Sequence, residues 1–258
     1  MTLLSRKKNT DIAPHKNSDI TLTSALDTGE HLIIAFDFGT TYSGVAYCFP
    51  SQQDTKVYPV MDWPEGETAP KIPTLVRYDA HNSSRFSWGP SVNQVNQREN
   101  AIVGVKLLVD PSQERPLYLP LGHRTTEQDI RKLQKTPVQV AADFLGAIHQ
   151  HALSEIARKV PAGYLSLCSK QFVLSGNHHP PFHSSPTCLT FLPRTVPAVW
   201  SDAAKQATVE AAKMAGIFPV TLIKEPEAAA CIPSGPCSLR STLATHLFSA
   251  TLAEGLSI

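Results

Sequence analysis

Residues 37–44, Asp-Phe-Gly-Thr-Thr-Tyr-Ser-Gly, gather a carboxylate, two glycines and a run of hydroxyl side chains in one short stretch. Gly39 lets the backbone turn tightly and approach a ligand. The amides and hydroxyls of Thr40, Thr41 and Tyr42 can then converge on phosphate oxygens. Asp37 adds a carboxylate beside them. Magnesium gives up its waters reluctantly, so one carboxylate next to a polyphosphate suits an ion held through water. Asp, Gly and Thr are also ordinary turn residues, and a plain hairpin turn accounts for the motif equally well.

Other clusters carry less. His178, His179 and His183, with Cys188 nearby, have a spacing that fits no compact metal site. His149 and His151 cannot share a helix face and read as surface residues. Trp63, Trp88 and Trp200 read as packing residues, because no basic stripe accompanies them as a nucleic-acid platform would require. The cysteines at 48, 168, 188, 231 and 237 are odd in number and lack any Cys-x-x-Cys spacing, which argues against a disulfide framework or a structural zinc site and for a reducing compartment.

The elements that must position the motif are short. The short apolar run His31-Leu-Ile-Ile-Ala-Phe36 and the run Val45–Phe49 predict two strands joined by the glycine-bearing turn. Residues 50–135 carry frequent prolines between short β-branched pieces such as 72–78, and predict an irregular α+β subdomain. Thr136-Pro137 has the form of an N-cap with proline at the first helical position. Ala141, Phe144, Leu145, Ile148, Ala152 and Ile156 then recur at helical spacing through Lys159. A further helix opens with Ser201 as N-cap and Asp202 against its dipole, is expected to bury Ala204, Ala207, Ala211 and Met214, and ends at Gly216. Between them, residues 175–194 hold four prolines and no period. Joining Gln171–Leu174 to Thr195–Trp200 makes one apolar strand, so 175–194 reads as an unstructured insert. Closing a loop of that length costs only about 2.7 kcal/mol, which a domain survives.

Four blocks in order, 33–47 (IIAFDFGTTYSGVAY), 105–110 (VKLLVD), 195–217 (TVPAVWSDAAKQATVEAAKMAGI) and 222–230 (LIKEPEAAA), resemble the seventy-kilodalton heat-shock chaperone family of the actin-like ATPase superfamily. The form VPAxWSDAAK resembles its divergent, non-classical fungal or vertebrate branch. The likeness covers roughly 31–231; 111–135 match poorly and 175–194 not at all. It implies an α/β fold, an actin-like, ribonuclease-H-like ATPase lobe, with ATP and magnesium as ligands. It further implies Asp37 as the magnesium-shell carboxylate, and Gly39, Thr40, Thr41 and Tyr42 as a phosphate loop. Lys106 is similar to the catalytic lysine that reaches the transferring phosphate, with a solvated surface lysine the equal alternative. Glu225 is similar to the glutamate that positions the attacking water. Glu227 stands where many relatives carry threonine and reads as a first-turn dipole partner. Pro197 and Lys205 stand near relay positions of the family, but a lysine lacks the guanidinium fork and the strand bearing Pro197 is interrupted.

The family closes two similar lobes over its nucleotide. These residues supply the first lobe only: after Ala230 come Pro233, Gly235 and Pro236, which break the expected helix, and no second glycine-rich phosphate loop or adenosine motif follows. The expected organisation is a disordered tail at 1–29, an incomplete lobe at 30–231 and an aberrant tail at 232–258. A retained intron at 175–194 and a reading-frame change after 230 would explain both anomalies. Little or no ATP turnover is expected, although the family hydrolyses ATP. The alternatives are a non-catalytic interaction protein or gene-model fragment and, with less support, a sugar-kinase-type phosphotransferase.

Composition bounds the partners. Lys and Arg number 23 against 22 Asp and Glu, a net charge of +1, so no sequence-wide field favours nucleic acid and any anion must be held locally. The opening residues lack the apolar core of a secretory signal and no apolar run is long enough to span a bilayer, which predicts a cytoplasmic or nuclear protein. Expected partners are ATP or ADP and protein clients or co-chaperones, with neither nucleic acid nor membrane.

Overall fold

Residues 31–38 and 42–48 are apolar at nearly every position, as strands covered on both faces must be. The computed structural model describes residues 30–50, 56–92, 101–109, 130–176 and 201–223. In it these runs form β1 (His31–Phe38) and β2 (Tyr42–Cys48), an antiparallel pair at the centre of the main sheet. β3 (Val57–Pro59) and β4 (Lys71–Pro73) both pair with β2, while β8 (Ser169–Gly176) and β9 (Val220–Ile223) extend the sheet in parallel from β1. The order is β3-β2-β1-β8-β9, with β4 also on β2. This mixed sheet with helices fits the expected α/β lobe.

Within the stretch 50–135 the described residues 56–92, 101–109 and 130–135 hold short regular elements. β5 (Leu75–Tyr78), β6 (Phe86–Trp88) and β7 (Ile102–Val103) make a separate three-stranded sheet, followed by the short helix α1 (Val105–Val109). Pro59 and Pro73 stand at the ends of β3 and β4, where a missing N–H costs little. β8 also differs from expectation: it continues through Ser175 and Gly176, two residues into the segment read as an insert, because its ladder with β1 runs on to Asp37 and Phe38. The remainder of 175–194, the strand expected at 195–200, and the tails at 1–29 and 232–258 lie outside the described residues.

Two helices hold one face of the sheet. α2 (Pro137–Lys159) starts in a full capping box, Thr136 accepting from the Gln139 amide and Gln139 reaching back to the Thr136 amide. All six apolar positions expected from its period are buried, each at 0% exposure. The four larger side chains, Phe144, Leu145, Ile148 and Ile156, each contribute about 1.5–3 kcal/mol, so packing outweighs the cap. The short helix α3 (Tyr164–Leu167) follows. α4 (Asp202–Met214) is capped by Ser201, whose hydroxyl accepts from the Ala204 amide at 3.1 Å. It ends in a Schellman motif: Gly216 adopts φ +74°, its amide bonds Lys213, and the Ile217 amide bonds Ala212 at 2.8 Å. Small residues meet where α4 crosses α2, around Gly146 and Ala215. Met214, expected inside, is 54% exposed; the buried positions are Ala204, Thr208, Ala211 and Ala212, and Ala207 is half-buried. Met214 is the last residue of the helix and stands off the stripe that Ala204, Thr208, Ala211 and Ala212 form.

Both histidines of α2 also correct the sequence reading. His149 is buried, set edge-on to the rings of Phe36 and Phe172, with Nδ1 3.3 Å from the Ala215 carbonyl. His151 stacks on Trp63 and its Nε2 lies 2.6 Å from the Asp62 carbonyl. They do occupy different helix faces, but the sheet and α4 cover one and the Trp63–Trp88 pair the other.

Candidate functional site

The three parallel strands β1, β8 and β9 end at the same edge of the sheet, the edge where open α/β sheets bind ligands. Register builds the site there. Asp37 pairs with Gly44 on one side and Ser175 on the other; Gly44 pairs with Lys71, and Ser175 with Ile223. Residues in register share a face, so Lys71, Gly44, Asp37, Ser175 and Ile223 form one row across five strands. Beneath it on that face lies an apolar cluster of Ala46, Ala35 and Val173, then Cys48 and Ile33, with Thr221 and Gln171 continuing those rows on β9 and β8. Burial pushes the Cys48 thiol up to about 11, which keeps it protonated and inert.

Asp37 is only 3% exposed, and both of its oxygens are engaged. Lys71 Nζ lies 2.7 Å from Oδ2, and the Ser175 hydroxyl donates to Oδ1 at 3.2 Å. Gly44 makes the first contact possible: a Cβ there would fall 2.7 Å from the Pro70 carbonyl oxygen and 3.2 Å from Lys71 Cγ. The lysine stem crosses the space a side chain would fill. Asp37 therefore carries a lysine ammonium on the oxygen where the resemblance implies a path to magnesium. The residues as arranged do not fit a divalent ion held on this carboxylate, since ammonium and metal at one oxygen repel.

The turn itself is tighter than the motif. Asp37 and Phe38 belong to β1, and Tyr42, Ser43 and Gly44 to β2, leaving Gly39, Thr40 and Thr41 as the bend. A Cβ on Gly39 would lie 2.0 Å from the Tyr42 carbonyl oxygen, so no other residue fits without moving the bend. Thr41 accepts the Thr74 amide at 2.8 Å, and the Ser43 and Thr74 hydroxyls share a buried hydrogen bond of 2.8 Å, which fastens the bend to the chain after β4. Thr40 is half-buried; Thr41 and Tyr42 are exposed.

Lys106 does not join this row. It is 5% exposed, which removes the surface-lysine alternative, and its Nζ lies 6.0 Å from the Phe38 ring. Phe38 faces α2 through Phe144, on the opposite side of β1 from Asp37. The two lysines thus approach the end of β1 from opposite faces of the sheet. Lys205 pairs with Asp202 on the exposed start of α4, a surface pair. Glu225, Glu227, Pro197, Trp200 and the group His178, His179, His183 and Cys188 lie outside the described residues, among which no three His, Cys, Asp or Glu side chains gather as a metal site. Among the described residues no helix is long and apolar enough to cross a membrane.

Sequence reasoning missed Lys71, Gly44 and Ser175. A glycine inside an apolar strand signals a close approach by another group, and Gly44 carried that signal. Lys71 and Ser175 carried none, because each reaches Asp37 through strand register.

The chain is similar to curated chaperones. It is 28% identical over 216 residues to chaperone protein HscA of Pectobacterium atrosepticum, covering 80% of this chain and 29% of that protein. HscA of Escherichia coli is 26% identical over the same shares, and the HscA homolog of Methylococcus capsulatus 26% identical over 77% of this chain and 28% of its own length. The chain thus spans under a third of the length of these relatives. No family model matches it.

Proposed function

We propose that residues 30–231 form the first lobe of an Hsp70-like nucleotide-binding domain of the divergent, non-classical branch, and that the bend Gly39–Thr41 takes the phosphates of ATP or ADP. The observation that carries this reading is the buried carboxylate row ending at that bend, on the strand-end edge of a mixed sheet. The bend offers amides and hydroxyls of Thr40, Thr41 and Tyr42 to phosphate oxygens. Lys106, buried beside Phe38, adds charge from the helix face, and Glu225, two residues past β9, is the proposed water-positioning carboxylate. Likeness to the chaperone protein HscA supports a chaperone role; the partners proposed with it are protein clients or co-chaperones, in the cytoplasm or nucleus. Positioning supplies nearly all catalysis of phosphoryl transfer, and these residues provide one phosphate bend, so turnover by this chain alone is low.

The test is calorimetric titration of the full chain with ADP and ATP. The reading expects micromolar binding, about −8 kcal/mol, lost in Gly39→Val. A cooperatively melting protein that gives no heat with either nucleotide would overturn it and favour a non-catalytic interaction protein.

A further inference from the structure

The row at the end of β1 holds a cation of its own. Asp37 is buried, and an uncompensated buried carboxylate is costly, so its charge must be matched. Lys71 matches it at 2.7 Å, from a strand 34 residues away in sequence, and the fold leaves Gly44 bare for the lysine stem to cross. The Ser175 hydroxyl donates to the other oxygen and helps to orient the carboxylate. An ammonium has three donors, so one hydrogen bond to Asp37 leaves two for a ligand. The Lys71 side chain keeps 19% of its surface open to solvent, whereas that of Asp37 keeps 4%.

We propose that the Asp37–Lys71 pair, laid across Gly44, is the built-in cation position of the phosphate site, so that the Lys71 ammonium, instead of a divalent ion on Asp37, neutralises the nucleotide phosphate nearest the bend. The inference rests on the nucleotide reading above and deepens it. Asp37 acts as a positioning residue for Lys71, and divalent ions compete with the lysine for the same oxygen.

Two titrations of the full chain test it. In the first, a fluorescent ADP analogue is titrated in EDTA and in excess magnesium. The wild type is expected to bind within about threefold of equal affinity in the two buffers. Lys71→Met is expected to bind about tenfold more weakly in EDTA and to recover with magnesium, while Lys71→Arg retains binding in EDTA. A wild type that loses about tenfold or more in EDTA, or a folded Lys71→Met that binds in EDTA as the wild type does, overturns the proposal. In the second, manganese alone is followed by electron paramagnetic resonance without nucleotide. The wild type should show no site that Asp37→Asn removes, and Lys71→Met should gain one; an Asp37-dependent manganese site in the wild type overturns the proposal whether or not Lys71→Met folds. A wild type that binds the ADP analogue in neither buffer defeats the nucleotide reading, and the manganese titration then judges the cation position by itself.

Discussion

The two faces of β1 do different work. On the helix face, Leu32, Ile34, Phe36 and Phe38 are all essentially without solvent exposure and pack against α2 and α4. On the other face, Ile33 and Ala35 give way at the strand end to Asp37, and on β8 Val173 gives way to Ser175 at the same level. Strand alternation thus lets one segment anchor a core and present a charged pair, with a single residue step between the two roles. The core face is generic and tolerant of conservative exchange. The polar row depends on atoms placed by register and by a missing Cβ.

Substitutions on the two faces should separate stability from ligand binding. Phe144→Ala, which removes a ring packed on Phe38 and Trp88, should have the largest effect, about 3–5 kcal/mol in denaturant unfolding, because a fully buried ring leaves a cavity. Equal stability of this variant and the wild type would show that the helix face is not the core. Asp37→Asn should cost less, about 1–3 kcal/mol, since Lys71 can turn to solvent, while weakening nucleotide binding out of proportion to that loss. A variant whose binding falls only as its folded fraction falls would erase the distinction between the faces.

The small sheet meets α2 through a polar cluster. Tyr78 donates to Asp143 at 2.5 Å, Lys135 pairs with the same carboxylate oxygen, and the Lys135 ammonium lies 4.5 Å from the Tyr78 ring centroid. Burial raises the Tyr78 phenol well above its usual range, and the Asp143 hydrogen bond adds to this. Asp143→Ala should cost about 1 kcal/mol and leave nucleotide affinity unchanged, as unfolding and titration together would show. A fall in affinity equal to that of Asp37→Asn would mean the small sheet belongs to the site.

The smallest effect is a pH dependence. Burial lowers the pKa of His149 below its ordinary value of 6.5. The unfolded chain therefore takes up a proton before the folded one does, and stability falls as pH drops below about 6.5, until the folded histidine also titrates. Above that pH the residue contributes no slope. His149→Phe should flatten this part of the stability profile measured between neutral and mildly acidic pH; an unchanged slope would place the titrating group elsewhere.

Much of this architecture was legible in the residues. The capped period of α2 and the Ser201–Gly216 frame of α4 follow from local rules, and the structure keeps both boundaries. The site was legible only in part. The bend announced itself through Asp37, Gly39 and the threonines, yet a turn rich in polar residues hid that Asp37 and Gly44 sit inside strands. Ser175 looked like the start of an insert because a polar residue ended an apolar run. Lys71 sits between prolines, and its meaning appears only when β4 is laid beside β2. Side chains joined by register across distant segments leave no local pattern to read.

The most direct measurement follows backbone amide shifts by NMR as ADP is added to the full chain. The account predicts the largest changes at Gly39, Thr40 and Thr41 with smaller ones at Gly44 and Ser175, and none along the exposed face of α4. Shifts scattered over α4 or the small sheet, with the bend unmoved under saturating nucleotide, would contradict it.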